Sequence, residues 1–131
     1  KTMRIIDNIF SNVNKYADKS EPITIAVLCN GSSVSASELF VSCLRDFEYA
    51  EIIGETTYGK GVMQSTFEIG SGSTLTLTVA LYNPPSGVNY EGLGVLPDFE
   101  VKYAQGDFDP QLHKAMEELY KLIRAGQGAV A

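Results

Sequence analysis

Residues 23–55 read ITIAVLCNGSSVSASELFVSCLRDFEYAEIIGE, and this stretch decides the fold. Residues 23–30 form a continuous apolar run without alternation, as is typical of a strand that is covered on both faces in a parallel sheet. From Ala36 to Leu44 the apolar residues follow helical spacing, and residues 50–55 form a second short apolar run. A strand, a helix and a strand within about thirty residues is the βαβ pattern. We therefore predict an α/β fold with a right-handed crossover.

The segments on either side extend this prediction. Residues 3–17 carry apolar side chains at helical spacing and predict an amphipathic helix. Residues 61–69 and 73–83 flank the turn Gly70-Ser71-Gly72 and predict a hairpin. In its second strand threonines alternate with Leu75, Leu77, Val79 and Leu81. We expect one face of that strand in the core and the other face towards water or substrate.

The end of the chain predicts a loop and then a helix. Residues 84–98 are a loop by composition. Asp109 is expected to be the N-cap of the last helix, with Pro110 at its first position. Its apolar stripe is predicted to consist of Leu112, Ala115, Met116, Leu119, Tyr120 and Ile123.

The chain has 131 residues, enough for one domain with a hydrophobic core, and no repeat, low-complexity tract or linker divides it. We therefore expect a single domain over residues 1–131. Because the sequence begins at Lys1 without an initiator methionine and opens directly into a helical pattern, we expect it to be a piece of a longer protein. No apolar run approaches the roughly 18 residues of a membrane span, and no signal peptide is recognisable.

The distribution of charge excludes one class of partner. The formal net charge is −6, and residues 20–101 hold ten acidic residues but only two cations, Arg45 and Lys60. Phosphate backbones are bound by clustered lysine and arginine side chains. We therefore expect no nucleic-acid partner.

The sequence lacks the usual groups for metal, nucleotide or histidine-assisted chemistry. The single histidine, His113, lies at the edge of the apolar stripe of the last helix, where a catalytic role is not expected. There is no HExxH motif, no cluster of carboxylates and histidines and no glycine-rich phosphate-binding motif, so we expect neither a metal nor another cofactor. Cys29 and Cys43 have no metal-ligand spacing and no CxxC pattern, and we predict that they are buried small hydrophobic residues.

If a serine acts as a nucleophile in this chain, its proton must pass to a base other than histidine, and lysine is the recognised substitute. Six of the seven lysines lie in the flanking segments, where solvated faces explain them. Lys60 alone lies in the central block, between Gly59 and Gly61 in TTYGKGVMQ (56–64). Glycines on both sides let the main chain approach another element closely, which positioning a lysine amine beside a buried hydroxyl would require.

Gln64 follows Lys60 by four residues, a separation that returns to the same side of a helix or of a strand. A neutral amide can hold the amine in place without the salt bridge that would keep it charged. Glu55, five residues before the lysine, would keep the amine charged if it paired with Lys60.

The serines at 33, 35 and 37 allow two interpretations. Ser35-Ala36-Ser37-Glu38 matches the capping box, with Ser35 as the N-cap and Glu38 reaching back to it, and this explains the pattern structurally. A strand-to-helix junction also directs free N–H groups and the positive helix end at whatever lies there, an arrangement that stabilises a tetrahedral oxyanion. The pattern alone favours the cap, and a serine nucleophile stays an alternative.

Four segments together resemble the carboxyl-terminal processing, or tail-specific, serine proteases. The family pattern is a strand, Asn and S-x-S-A-S-E, then G-E-x-T-[FY]-G-K-G-x-x-Q, a threonine-rich strand with Y-x-x-P-x-G, and G-x-x-P-D. The chain carries this pattern in order as VLCNGSSVSASE (27–38), GETTYGKGVMQ (54–64), LTLTVALYNPPSG (75–87) and GLGVLPDFEV (92–101). The matches extend over most of the chain.

The resemblance implies a serine endopeptidase that hydrolyses peptide bonds through an acyl-enzyme intermediate on a Ser-Lys dyad. Ser35 takes the position of the family's nucleophile, Lys60 that of the general base, and Gln64 completes a Ser-Lys-Gln arrangement. The N–H of Ala36 would supply one donor of the oxyanion hole. The implied fold is a crotonase-like α/β spiral, and this chain would be the C-terminal portion of the catalytic domain, a partial domain with a C-terminal helix.

The resemblance also implies partners and a compartment. The family usually has an upstream strand with D-x-R-x-N-x-G-G, which gives a second oxyanion donor, and commonly a PDZ domain that grips substrate C-termini; neither occurs in this sequence. The partner is then a polypeptide substrate, the compartment is extracytoplasmic at the bacterial cell envelope, and sheet edges exposed without the upstream half would favour self-association. A non-catalytic module that binds a peptide or small ligand on the same fold is the alternative.

Overall fold

The computed structural model describes residues 24–127. Its elements in chain order are β1 (Ala26–Cys29), α1 (Ala36–Asp46), β2 (Glu51–Gly54), β3 (Val62–Glu68), β4 (Thr74–Leu81), β5 (Phe99–Glu100) and α2 (Pro110–Gln127). The helix predicted over residues 3–17 lies outside the described residues. No helix in the described range is both long enough and apolar enough to cross a membrane.

β1 and β2 form the parallel pair that the βαβ pattern predicts. The four residues from Ala26 to Cys29 align with those from Glu51 to Gly54, and α1 connects the two strands. On the other side of β2, the short strand β5 pairs parallel to it, which gives the sheet order β1-β2-β5. The α/β class is therefore confirmed, and β5 is a strand that the sequence did not indicate.

The core forms on both faces of β2. Ile52 belongs to a buried cluster that also contains Cys29, Val41, Tyr90 and Val95. The adjacent Ile53 is equally buried and points to the opposite face, because successive side chains alternate along a strand. Phe99 of β5 is the register partner of Ile53. The Lys114 ammonium of α2 lies 4.8 Å from the centre of the Phe99 ring. The two helices therefore cover opposite faces of β2.

The two cysteines are buried, as predicted, and both are free thiols. Burial raises the pKa of both the Cys29 and the Cys43 thiol, so both are protonated at neutral pH. The neighbouring Leu28 of β1 is 42% exposed. The expectation that the strand in residues 23–30 is covered on both faces is therefore wrong within residues 24–127, because no described element covers the face of β1 that carries Leu28.

β3 and β4 form the predicted antiparallel hairpin, with an irregularity in register next to Gln64. The expectation that one face of β4 lies in the core is wrong for residues 24–127. Its apolar side chains are exposed, from 43% for Leu75 to 67% for Leu81. Alternation of leucine and threonine shows that a strand has an apolar face, but it does not show which element covers that face.

α2 begins as predicted. Pro110 is its first residue, and the Asp109 Oδ1 accepts the N–H groups of Gln111 at 2.9 Å and of Leu112 at 3.1 Å. Only part of the predicted stripe packs inward: Ala115 is buried and Leu119 is half-buried. The remaining members of the stripe are exposed, namely Leu112, Met116, Tyr120 and Ile123. The face that packs on β1 and β2 is therefore narrower than the apolar pattern.

We predict that the Asp109 side chain, which caps α2, contributes to the stability of the fold. Asp109→Ala should lower the free energy of unfolding by about 1 kcal/mol, because two N–H groups of the first turn lose their acceptor. Asp107→Ala, two residues earlier and outside the cap, is the matched control and should change it by less than about 0.5 kcal/mol. Urea unfolding followed by circular dichroism measures both variants, and equal effects would contradict the assignment of the cap.

Candidate active site

The carboxyl ends of β1 and β2 bring two loops together. Residues 30–35 follow β1 and residues 55–60 follow β2, and because the strands are parallel the two loops leave the same edge of the sheet. The Glu55 N–H donates to the Cys29 carbonyl oxygen at 2.9 Å, and the Tyr58 N–H donates to the Ser33 carbonyl oxygen at 3.0 Å. Ser35 and Lys60, at the ends of these loops, therefore belong to one region of the surface.

Ser35 has an unusual main-chain conformation. Its φ is 61° and its ψ is −116°, a combination that residues other than glycine seldom adopt. The predicted capping box is present, and in it the Glu38 carboxylate accepts the Ser35 N–H at 2.8 Å. The Glu38 N–H donates to the Ser35 carbonyl oxygen at 3.0 Å and also faces the Ser35 side chain in the capping box. The cap uses the Ser35 Oγ only as an acceptor, so the O–H itself is not donated to any residue between 24 and 127.

Glu38 is the buried acceptor around which both loops are arranged. Its side chain is inaccessible to solvent. Its Oε1 accepts the Thr57 hydroxyl at 2.6 Å and the Gly59 N–H at 2.5 Å. Its Oε2 accepts the N–H groups of Ser35 and of Lys60, each at 2.8 Å. One carboxylate oxygen thus joins the main chain of the candidate nucleophile to that of the candidate base.

The ionisation of Glu38 depends on these donors. Burial opposes the charged form, but the Thr57 hydroxyl and the N–H groups of Gly59, Lys60 and Ser35 together lower the pKa of the carboxyl below its ordinary value near 4.5. The four hydrogen bonds thus outweigh the effect of burial. Glu38 is an ionised carboxylate at neutral pH.

The lowered pKa of Glu38 predicts a dependence of stability on pH. A carboxyl whose pKa is lower in the folded state contributes stability that is fully present above the unfolded pKa and is lost as the pH falls through the folded pKa. We expect the free energy of unfolding to decrease below about pH 4.5, and to decrease less steeply in Glu38→Gln, which cannot titrate there. Urea unfolding between about pH 3 and about pH 6 measures the difference. Equal slopes for the two proteins would contradict the prediction.

The main chain after Lys60 is held from the other side by residues 89–94. The Gly61 N–H donates to the Glu91 carboxylate at 2.5 Å. The Asn89 side-chain amide donates to the Gly61 carbonyl oxygen at 2.9 Å. The segment that carries the lysine is therefore fixed between Glu38 and this second loop.

The glycines that flank Lys60 permit this fit. Gly59 has a φ of 91°, and a Cβ placed on it would lie 3.0 Å from the Gly94 nitrogen. A Cβ on Gly61 would lie 2.5 Å from the Asn89 side-chain oxygen. The predicted close approach of the glycines to another element is confirmed, and that element is the loop of residues 89–94.

The Lys60 side chain, unlike its main chain, is not held by hydrogen bonds to residues 24–127. It is half-buried, and among residues 24–127 no carboxylate lies within ion-pair distance of its Nζ, which also makes no hydrogen bond there. Glu55, which could have kept it charged, does not pair with it. The described part of the chain therefore holds the lysine by its backbone and leaves its amine available.

Gln64 and Ala36 lie close in the sequence to the two candidate dyad residues. Gln64 is exposed on β3 opposite Thr78, and no hydrogen bond joins it to Lys60 within the described range. Because β3 begins at Val62, regular alternation does not extend back to Lys60, and the spacing of four does not by itself place the two side chains on one face. Ala36 is the first residue of α1, and its N–H donates to no described residue.

Other candidate groups lie outside this region. The His113 ring is exposed and packs against Phe108, with 5.4 Å between ring centres. Between residues 24 and 127 no three His, Cys, Asp or Glu side chains are grouped so that they could hold a metal ion. A cavity of about 500 Å³ lies at the amino ends of β1 and β2, where Thr24 and Glu51 are among its lining residues. It contains neither half of the candidate dyad.

The sequence pattern indicates only part of the role of Glu38. The capping box accounts for its bond to the Ser35 N–H but not for the three donors that come from residues 57–60. A signal was present, because Glu38 shares one face of α1 with Val41 and Ser42, three and four residues later, and both are buried. A glutamate on the inward face of a helix requires buried partners.

Known proteins and one protein-family model match most of this chain. The model of peptidase family S41 matches residues 6–101. The carboxy-terminal-processing protease of Bartonella bacilliformis is 42% identical over 88 residues, which are 67% of this chain and 20% of that protein. The chloroplastic carboxyl-terminal-processing peptidase 2 of Arabidopsis thaliana is 47% identical over 79 residues, which are 60% of this chain and 15% of that protein.

A solved structure, that of a photosystem II D1 C-terminal processing protease, superposes with a TM-score of 0.51 at 40% identity, over 57% of this chain and 19% of that one. The chain therefore spans about a fifth or less of the length of these relatives. Because one family model accounts for both loops of the site and for most of the chain, the chain belongs to peptidase family S41.

Proposed function

We propose that this chain carries the dyad of a serine endopeptidase of the carboxyl-terminal processing type, with Ser35 as the nucleophile and Lys60 as the general base. The observation that carries the proposal is that the main-chain N–H groups of the strained Ser35 and of Lys60 share one carboxylate oxygen. Hydrolases of another fold also present a nucleophilic serine on a strained strand-to-helix turn. The names of the relatives support a polypeptide as the substrate.

In the proposed reaction the neutral Lys60 amine takes the proton of the Ser35 hydroxyl while the oxygen attacks the carbonyl carbon of the peptide. The carbonyl oxygen becomes negative, and the Ala36 N–H at the positive end of α1 donates to it. The Lys60 ammonium then gives the proton to the leaving nitrogen as the C–N bond breaks. Water, deprotonated by Lys60, hydrolyses the resulting ester and frees Ser35.

The surroundings of Lys60 suit a base that must be uncharged to act. The two carboxylates nearest its main chain, Glu38 and Glu91, are engaged by N–H groups of residues 59–61. No described carboxylate forms an ion pair with its amine. We assign to the Gln64 amide the role of holding the amine once substrate is bound, since a neutral partner does not favour the charged form.

Several features of the parent protein belong to the same proposal. The βαβ core would be part of a crotonase-like spiral, and the rest of the catalytic domain, with a second oxyanion donor and a PDZ domain, would lie elsewhere in the parent protein. The exposed apolar side chains of the hairpin support a covering element or self-association. The proposed compartment is extracytoplasmic, at the bacterial cell envelope.

A serine-reactive fluorophosphonate tests the proposal on the full-length protein. We expect one adduct per chain on Ser35, located by peptide mass spectrometry, and no adduct in Ser35→Ala. Ser37→Ala, which removes an exposed hydroxyl two residues later, is the matched control and should be labelled at the wild-type rate. Peptide binding without an adduct at any pH would overturn the proposal in favour of a non-catalytic binding module.

A further inference from the structure

We infer that Glu38 is a positioning residue of the dyad, whose carboxylate sets the separation of the Ser35 and Lys60 main chains. This inference rests on the proposed function. Two hydrogen bonds of 2.8 Å to the same oxygen hold the two nitrogens near one point. The chain between them, from α1 through β2, is thereby closed into a loop whose ends carry the nucleophile and the base.

A helix cap alone does not explain this arrangement. In a capping box the glutamate needs only its bond to the N-cap N–H, and glutamate side chains are seldom fully buried without further partners. Glu38 is fully buried, and its other donors come from residues 19 to 22 positions later. Thr57, one of these donors, itself accepts the Val95 N–H at 2.7 Å. The carboxylate therefore connects α1 to the loop after β2 and, through Thr57, to the segment before β5.

The site requires a carboxylate in particular, because four donors converge on two acceptor oxygens. A glutamine of the same shape has one acceptor oxygen and one NH2 group. If the NH2 faced Ser35 and Lys60, both main-chain N–H groups would lose their acceptor. If the NH2 group instead faced Thr57 and Gly59, the Thr57 hydroxyl could rotate and accept a hydrogen bond from it. The Gly59 N–H would still face a donor and would lose its acceptor. In either orientation the two loops would move apart, and proton transfer between Ser35 and Lys60 depends on that spacing.

The test uses Glu38→Gln in the full-length protein. We expect kcat for a peptide substrate to fall about 100-fold while KM changes less than about threefold, because geometry at the reacting atoms is lost and the substrate contacts are not. In a Ser35→Ala background the same change should leave the Kd of the peptide unaltered. Glu55→Gln, on the same loop but without a hydrogen bond from its side chain to described residues, is the matched control and should keep kcat within about twofold.

A double-mutant cycle separates positioning from a purely structural role. In a Lys60→Met background no dyad remains to be aligned, so Glu38→Gln should lower the fluorophosphonate labelling rate of Ser35 less than about threefold further. Equal losses in both backgrounds, or a wild-type kcat in folded Glu38→Gln, would overturn the inference.

Glu38→Asp covers the case in which the glutamine variant does not fold. It keeps the charge but is one methylene shorter and cannot reach both loops, so kcat should fall at least about tenfold. A wild-type kcat in Glu38→Asp would likewise overturn the inference. These outcomes are distinct from failure of the proposed function, in which Ser35→Ala itself would stay active.

Discussion

Ser35→Ala in the full-length protein is expected to lower kcat/KM for a peptide substrate by about 10⁴- to 10⁶-fold, because the acyl-enzyme can no longer form. The fold should persist, since the loss of the Ser35 side chain from the capping box costs only about 1 kcal/mol. Alanine retains the same backbone restriction at a φ of 61°, so the strain is unchanged. Initial rates with a fluorogenic peptide measure the loss, and thermal unfolding checks the fold.

Ser37→Ala provides the comparison for this variant. Ser37 lies within the first turn of α1 and is exposed, and its change should leave kcat/KM within about twofold of wild type. Retention of more than about 1% of wild-type activity by Ser35→Ala would mean that another group is the nucleophile.

Lys60→Met is expected to lower kcat/KM about 10³- to 10⁶-fold, because methionine keeps much of the apolar stem but has no amine to accept the proton. The double variant Ser35→Ala, Lys60→Met should be no less active than either single variant, since the two residues act as a unit. Lys102→Met, at an exposed lysine just after β5, is the control and should keep wild-type activity. Single-turnover rates of the purified proteins measure this loss. A rate for Lys60→Met within about tenfold of the wild-type rate would exclude a dyad.

Local patterns predicted the elements around the site because the relevant information lies within a few residues. The apolar runs gave β1 and β2, and Asp109 with Pro110 marked the start of α2. β5 could not be predicted in this way, because a strand of two residues has no periodicity and forms only by pairing with β2. The exposure of the apolar side chains of the hairpin could not be predicted from a local pattern either, because it depends on whether another element covers that face.

At the candidate site, too, features that depend on neighbouring residues could be predicted, and contacts between residues far apart in the sequence could not. The roles proposed for Ser35, Lys60, Gln64 and Ala36 come from the resemblance to a family. The pattern of glycines around Lys60 predicted a close approach but not its partner, the loop of residues 89–94. The convergence of four donors on Glu38 joins residues about twenty positions apart, and sequence spacing cannot indicate such contacts.

A crystal structure of the full-length protein with an uncleavable peptide analogue measures the central claim directly, as the distance between the Ser35 Oγ and the Lys60 Nζ. We predict a hydrogen bond of about 2.6 to 3.2 Å, with the amine apart from every carboxylate. A separation beyond about 6 Å, with the Lys60 amine in an ion pair or in bulk water, would contradict the dyad.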